Sequence, residues 1–237
     1  TLQGKRVREF CQDNKGILWI GTEDGGLNRF DPKTKTFSFF APSSGFTNIH
    51  GLCMVGDKLW VGTFSKGLKI VDTNTGSILK TYQKTDSPRS LIDNSIFAIY
   101  RTVTGDIYLG TMFGLLKYNE QTDDFDRITE LAGKFVYDIK EDSGGNLWLA
   151  TYANGAYCYN VNEKRWKNYV HNEDNKESLP YDKVLSIFED SHRQIWLTTQ
   201  GGGFCLFHPD TETFTSYDSS NGLPNDVVYQ IVEDVDG

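Results

Sequence analysis

Short runs of apolar residues, each with an aromatic residue at the centre, recur along the chain. They read LWIGT, LWVGT, IYLGT, LWLAT and IWLTT, and polar segments rich in glycine, aspartate and asparagine separate them. The central aromatic residues, which we assign to the structural core of the repeats, are Trp19, Trp60, Tyr108, Trp148 and Trp196. Their spacing of 40 to 48 residues is typical of one strand-rich blade of a β-propeller.

Each repeat predicts four short strands. In the first repeat, VREFCQD from Val7 precedes a polar turn and the LWIGT run, and a glycine turn then leads to GLNRF and a hairpin to TFSFF. Several of these strands are apolar almost throughout, which favours strands buried on both faces, as in a blade packed between two others. The chain is therefore predicted to be all-β, with blades over residues 5–41, 47–83, 94–130, 134–170 and 182–218.

The last segment, residues 225–237, aligns with the first strands through its Glu-Asp pair at 233–234. It predicts the opening strand of a sixth blade, whose central aromatic residue would fall beyond residue 237. Residues 1–237 are thus expected to form a single partial β-propeller: five complete four-stranded blades plus the first strand of a sixth, a fragment of a seven-bladed propeller. The apolar end faces of such a fragment need further blades or a partner.

Composition narrows the function classes. With 24 Lys and Arg against 32 Asp and Glu, the formal net charge is −8, which argues against a protein that wraps nucleic acid. No run of about 20 apolar residues predicts a membrane span. Four cysteines are too few for a disulfide framework in a chain of this size. We expect them to be small buried residues, and they are Cys11, Cys53, Cys158 and Cys205.

The acidic turns resemble calcium loops in composition but are too short to supply a full set of oxygen ligands. They begin at residues such as Asp13, Asp142 and Asp190. We expect each aspartate to accept backbone N–H bonds within its turn, with glycine supplying positive φ. EDSGGNLW, from Glu141, also resembles the Asp box of sialidase propellers, which is a turn motif without a catalytic role.

No constellation of residues predicts catalysis, a metal site or a cofactor. His192 and His208 lie in predicted turns, whereas His50 and His171 lie nearer the loop face where propellers bind ligands. None of the four has the clustered spacing of metal ligands. A glycosidase needs two opposed carboxylates, and the sequence does not single out such a pair.

The repeats resemble the two-component regulator propeller repeat. The likeness is carried by QDNKGILWIGTEDGGLNRFDPKTKTFSFF from Gln12 and by EDSHRQIWLTTQGGGFCLFHPDTETFTSY from Glu189. The linkers at residues 90–96 and 221–228 also look like those of the family. The resemblance covers the whole chain, and the second repeat departs from it most because VGD replaces the acidic turn.

This resemblance implies a non-catalytic, periplasmic sensor region of a Bacteroidetes hybrid two-component histidine kinase. The implied ligand is an oligosaccharide derived from a complex glycan, and the kinase and the transmembrane segment would lie outside these residues. The implied partners are therefore the ligand and the remaining blades and domains of the same protein. A homodimer stays open, and no nucleic acid is expected to bind this part.

The positions free to specialise are the loops at one rim of the blades. Aromatic faces suit the C–H surfaces of sugars, and planar polar or basic groups suit their hydroxyls and charges. The candidate ligand-binding residues on this basis are Phe64, Lys66, Arg89, Phe113, Tyr152, Asn154, Tyr181 and Gln200. Phe64, Phe113 and Tyr152 are expected at matching places in successive blades, where they form an aromatic platform or merely cover the blade tops.

Two other function classes stay open at this point. One is a propeller enzyme, either similar to a streptogramin lyase, which would use a loop histidine with a metal, or active on glycans. The other is a protein-interaction scaffold without a small ligand.

Overall fold

The computed structural model describes residues 1–40, 46 and 48–234. Its contacts divide the chain into two compact units, Thr1–Ala132 and Gly133–Gly237. The first unit holds three four-stranded sheets and the second unit holds two.

All five described sheets are antiparallel and follow chain order from the first strand to the fourth. The all-β propeller prediction is therefore confirmed at the level of fold class. In the first unit the strands are β1 (Val7–Gln12), β2 (Leu18–Thr22), β3 (Leu27–Asp31), β4 (Thr36–Phe40), β5 (Ile49–Val55), β6 (Lys58–Thr63), β7 (Leu68–Asp72), β8 (Ile78–Tyr82), β9 (Ile96–Arg101), β10 (Ile107–Thr111), β11 (Gly114–Asn119) and β12 (Asp124–Ile128).

The second unit repeats the same order. Its strands are β13 (Val136–Glu141), β14 (Leu147–Thr151), β15 (Ala156–Asn160), β16 (Arg165–Tyr169), β17 (Val184–Glu189), β18 (Ile195–Thr199), β19 (Phe204–His208) and β20 (Thr213–Tyr217). Short 3₁₀ turns at Thr129–Leu131 and Ser219–Asn221 complete the described secondary structure.

An irregularity in pairing recurs where the first strand of each sheet begins. The register shifts between Val136 and Asp138, and equivalent shifts occur at the start of the other first strands. A bulge of this kind re-aims the side chain at the extra position. In the first, second and fourth sheets the second residue of the first strand contacts the loop after the second strand, through the contacts Arg8–Glu23, His50–Phe64 and Tyr137–Tyr152.

The cores of both units lie between successive sheets. In the first unit, Trp19 and Leu27 pack with Ile49 and Val61, while Leu68 and Ile70 pack with Leu109. In the second unit, Trp148 packs with residues of the fifth sheet such as Phe207. Trp19, Trp60 and Trp148 are buried, whereas Tyr108 and Trp196 are half-buried. Burial on both sheet faces accounts for the nearly continuous apolar runs.

The expected opening strand of a sixth blade is not a regular strand over its described residues, 225–234. It makes one isolated bridge, between Gln200 and Val227. A first strand receives its hydrogen bonds from the second strand of its own sheet, and that predicted partner would lie past residue 237. Residues 235–237 are outside the described part of the chain.

The cysteine prediction is correct for two of the four residues. Cys158 and Cys205 are buried, but Cys11 and Cys53 are half-buried. Burial nevertheless raises the pKa of all four thiols, to about 12 for Cys11 and about 11 for Cys53. All four are free thiols in the structure, and these pKa values keep them in the unreactive protonated form at neutral pH.

Candidate functional site

A threonine ends each second strand and holds the loop that follows it. The Thr151 hydroxyl donates to the Gly155 carbonyl at 2.6 Å and accepts the Asn154 N–H at 3.0 Å. Equivalent hydroxyl bonds to the glycine carbonyl are made by Thr22, Thr63, Thr111 and Thr199. In every sheet this threonine is buried and its hydroxyl is used to hold the loop. The residue directly after it is therefore the first whose side chain is available to contact a ligand.

In the first unit that residue in the second sheet is Phe64, which joins an aromatic cluster. The Phe64 ring lies 6.1 Å from the His50 ring and 6.0 Å from the Phe97 ring, and His50 and Phe97 are 4.6 Å apart. Asn48 Oδ1 lies 2.9 Å from His50 Nε2. Burial, aided by the nearby Arg8 charge, lowers the pKa of His50 to about 4, so the imidazole is neutral at physiological pH.

Glu23 takes the corresponding place in the first sheet and is held by two arginines. Its carboxylate lies 2.7 Å from Arg8 Nη2 and 3.4 Å from Arg6 Nη1. The Arg8 hydrogen bond is the main cause that lowers the pKa of Glu23. Glu23 and its two arginines form a charged surface where the loop follows the second strand of the first sheet.

Phe113 does not occupy the position that the sequence alignment predicted. In the third sheet the loop is one residue shorter, because the Thr111 hydroxyl bonds to Gly114, three residues on, whereas Thr63 bonds to Gly67, four residues on. Met112 therefore follows the threonine, and Phe113 takes the next place with a 52% exposed ring. The expected platform of three equivalent aromatic residues was wrong at this position.

In the second unit, Tyr152 lies at the centre of a second aromatic cluster. Its ring is 5.3 Å from that of Phe135 and 6.2 Å from that of Tyr137. The Lys183 ammonium lies over the Tyr152 ring, 5.2 Å from its centroid. We call Phe135, Tyr137, Tyr152 and Lys183 the Tyr152 cluster; it combines half-buried aromatic rings with a cation.

Gln200 adjoins this cluster through the backbone of Lys183, whose carbonyl accepts the Gln200 N–H at 2.9 Å. Gln200 Oε1 is buried and lacks a hydrogen-bond partner among the described residues. Tyr181 packs against the next residue, so closely that a Cβ added at Gly201 would lie 3.1 Å from its ring. The structure thus brings three predicted residues, Tyr152, Tyr181 and Gln200, to one edge of the second unit.

The other predicted residues have different surroundings. Arg89 binds Asp124 through two nitrogens at 2.6 and 2.7 Å and Asp126 through the third at 2.9 Å, so its guanidinium is occupied. Lys66 is exposed in the Phe64 loop, and its N–H donates to Thr63. Asn154 is half-buried in the Tyr152 loop and is held through its own N–H.

Sequence reasoning placed His50 near the loop face but missed the other partners that build both clusters. His50, Phe97 and Tyr137 each occupy the second position of a first strand, directly at the bulge. Phe135 and Lys183 each directly precede a first strand. A comparison of these positions across the five repeats contained the signal, because they vary in chemistry while the residue between them, the first of each first strand, is always Val or Ile.

The acidic turns serve the fold, as predicted, and bind an additional group that was not predicted. Asp142 Oδ1 accepts the N–H groups of Gly144 and Asn146, and its Oδ2 accepts the Trp148 indole N–H at 2.9 Å. Gly145 completes the turn with φ +82°. The carboxylate thereby fixes the turn and the central tryptophan together.

The described residues hold no group of three or more His, Cys, Asp or Glu side chains able to bind a metal ion. His192 and His171 are exposed, and His208 is half-buried with its Nε2 2.7 Å from the Thr215 hydroxyl. The second unit brings together aromatic rings, a cation and an unpartnered amide oxygen. Over the described part of the chain, no helix has the length and apolar character needed to cross a bilayer.

Comparisons with known proteins agree with the repeat pattern. Residues 1–24 and 130–153 match the profile of the two component regulator propeller. The chain is 29% identical over 245 residues to histidine kinase P4 of Formosa agariphila, covering 96% of this chain and 18% of that protein. The chain thus spans less than a fifth of its curated relative.

Solved structures share the fold. The extracellular domain of a hybrid two component system from B. thetaiotaomicron superposes with a TM-score of 0.75 and 27% identity, over 91% of this chain and 31% of that one. Virginiamycin B lyase from Staphylococcus aureus superposes with a TM-score of 0.69 but only 13% identity, over 90% of this chain and 69% of that one. The second likeness concerns the fold alone. The chain therefore has a β-propeller fold, and two of its segments match the two component regulator propeller.

Proposed function

We propose that this chain is the non-catalytic, extracytoplasmic sensor propeller of a hybrid two-component histidine kinase and that it binds an oligosaccharide. The support for the sensor role is the repeat profile together with the likeness to a two-component extracellular domain. Ligand occupancy is relayed to a kinase outside these residues. The proposed binding site is the edge of the second unit formed by the Tyr152 cluster, Tyr181 and Gln200.

The observation that carries this proposal is the buried, unpartnered Oε1 of Gln200. A buried polar atom without a partner is rare in native proteins and needs an explanation. Gln200 Oε1 is an acceptor, so its missing partner is a donor, and a sugar hydroxyl supplies one beside a ring face. The Tyr152 ring presents that face for the C–H side of a sugar, and Lys183 adds a donor next to it.

Calorimetric titration of the intact chain with a panel of neutral and acidic oligosaccharides tests the proposal. We expect saturable, stoichiometric heat with one glycan class, and chromatography should recover that glycan unchanged. Product formation would contradict the sensor role in favour of an enzyme. Absence of heat with every glycan would contradict saccharide binding in favour of a protein-interaction scaffold.

Two substitutions localise the binding. Gln200→Ala should weaken affinity about tenfold, since one hydrogen bond in a buried site contributes about 1–1.5 kcal/mol. Tyr152→Ala should weaken it at least as much through loss of the stacking face. Gln83→Ala, at an exposed position of the first unit, serves as the control. Unchanged affinity in both site variants would refute this location.

A further inference from the structure

The central tryptophan of the second sheet differs from those of the other sheets in its hydrogen bonding. In three sheets the indole N–H donates to a turn aspartate six residues earlier: Trp19 to Asp13 at 3.1 Å, Trp148 to Asp142 at 2.9 Å and Trp196 to Asp190 at 2.8 Å. These repeated bonds show that a carboxylate oxygen fits beside this indole in the blade geometry.

Trp60 has no such carboxylate. The residue six positions earlier is Met54, because Gly56 and Asp57 connect the first two strands by a tight turn in place of the longer acidic turn. Within the described ranges the Trp60 indole N–H has no acceptor, although the side chain is only 5% exposed. Its nitrogen is not among the fully buried polar atoms, so it keeps contact with solvent.

Trp60 lines a groove of about 930 Å³ between the second and third sheets of the first unit. The volume falls in the range of about 300–1,000 Å³ that is usual for small-molecule sites. Tyr82 and Tyr118 form part of the wall, and the Trp60 and Tyr118 rings meet edge to face at 5.0 Å. The groove is thus a concave site with aromatic walls and an unsatisfied donor.

Three of the carboxylates along the groove are already neutralised by cations. Asp106 pairs with Lys117 at 2.8 Å, and Asp126 pairs with Arg89 at 2.9 Å. Asp123 pairs with Lys80 and also accepts the hydroxyls of Tyr82 and Tyr118. These acids are therefore not free to repel an anion strongly.

Two cations of the groove, Lys58 and Arg101, have no ion-pair partner among residues 1–40, 46 and 48–234. Lys58 lies two positions before Trp60 on β6 and so projects from the same face of the strand. Arg101 lies beside Cys53, the residue paired with Trp60 across the sheet. Asp57 and Glu120 also line the groove without an ion-pair partner among those residues, whereas Lys58 and Arg101 are the two cations that the strand pairing places beside Trp60.

We propose that this groove is a second binding site, which takes a carboxylate-bearing sugar such as a uronic acid. The ligand carboxylate accepts the Trp60 N–H in the place that the turn aspartate holds in the other sheets. Lys58 and Arg101 compensate its charge, and the groove wall receives the sugar ring. This site is separate from the Tyr152 cluster and does not depend on the function proposed there.

Indole N–H resonances of the ¹⁵N-labelled intact chain provide a direct test, because the protein has five tryptophans. The Trp60 signal is assigned as the one lost in Trp60→Phe. Titration with D-glucuronate should shift this signal saturably and leave the Trp19, Trp148 and Trp196 signals in place. D-glucose, which lacks the carboxylate, should not shift it.

Charge variants extend the test without touching the core. Lys58→Gln and Arg101→Gln should each weaken glucuronate binding about tenfold, whereas Lys176→Gln, on an exposed loop of the second unit, should not. An equal shift with glucose, or no saturable shift with glucuronate, would overturn the proposal. Equal affinity for acetate would overturn the assignment to a sugar. Gln200→Ala should not alter the Trp60 shift, so the two proposed sites fail or succeed separately.

Discussion

Asp138 Oδ2 accepts a hydrogen bond from the backbone N–H of Ile187 at 3.0 Å, although the two residues are 49 positions apart. Its other oxygen accepts the Ile139 N–H at 2.8 Å. The carboxylate therefore joins the first strand of the fourth sheet to the first strand of the fifth. Burial is the main cause that raises the pKa of Asp138, and the nearby Lys140 and the two N–H bonds act in the opposite direction.

Asp138→Asn should destabilise the chain by about 1–3 kcal/mol, because the amide places an N–H₂ group opposite one of two backbone donors and leaves that donor unpaired. Urea unfolding monitored by tryptophan fluorescence measures the change. Asp174→Asn, in an exposed loop of the same unit, is the control and should change stability by less than about 0.5 kcal/mol. Equal stability of the two variants would show that the Ile187 bond contributes nothing.

Thr151→Val should also destabilise the fold, again by about 1–3 kcal/mol. The side chain is fully buried, and valine keeps its volume but removes the hydroxyl that bonds Gly155 and Asn154. Thr151→Ser restores the hydroxyl and should recover most of the loss in thermal or urea unfolding. A valine variant as stable as the serine variant would mean that side-chain packing, and not the hydrogen bonds of the hydroxyl, stabilises this loop.

The strands, the hairpins and the buried threonines were predictable because the same local sequence pattern occurs in all five repeats. Trp148 and Asp142, for example, recur at a fixed separation in three repeats, which already indicates a turn attached to a core residue. Gly155 likewise marks its loop, since it has φ +72° and a Cβ there would lie 2.0 Å from the Tyr169 carbonyl oxygen.

The candidate site was less predictable because it depends on contacts between distant segments. Arg89 looked available as a ligand group, yet it binds Asp124, 35 residues away. Phe113 was misplaced by a loop one residue shorter than that of Phe64. Lys183 could be connected to Tyr152 only once neighbouring sheets were placed side by side.

His50 should make stability depend on pH between about 6.5 and 4. Its pKa is lowered from 6.5 to about 4 in the folded chain, so the unfolded chain binds more protons in this interval. The contribution of the neutral imidazole to the free energy of unfolding is fully present above pH 6.5 and is lost as the pH falls toward 4. Urea midpoints at pH 7, 5.5 and 4.5 should therefore fall less steeply in His50→Gln than in the parent chain.

Exposed His192 supplies the control for that measurement. His192→Gln should retain the parent slope, because only a histidine whose pKa differs between the folded and unfolded states contributes to it. Parallel pH profiles for His50→Gln and the parent chain would contradict the proposed lowering of the His50 pKa by burial.

Removal of the Asp142 carboxylate should distinguish the acidic turns, in which an aspartate binds the central tryptophan, from the tight turn of the second sheet. Asp142→Ala leaves the Trp148 indole and two backbone N–H groups without their acceptor, and we expect a loss of about 2–3 kcal/mol in urea unfolding. Asp57→Ala, in the tight turn of the second sheet, should cost less than about 0.5 kcal/mol because no described donor bonds to its carboxylate. A similar loss in both variants would show that the acidic residue acts through general turn propensity. A loss confined to Asp142→Ala, with faster exchange of the Trp148 indole proton, would establish that the carboxylate holds the tryptophan and that the second sheet lacks this support at Trp60.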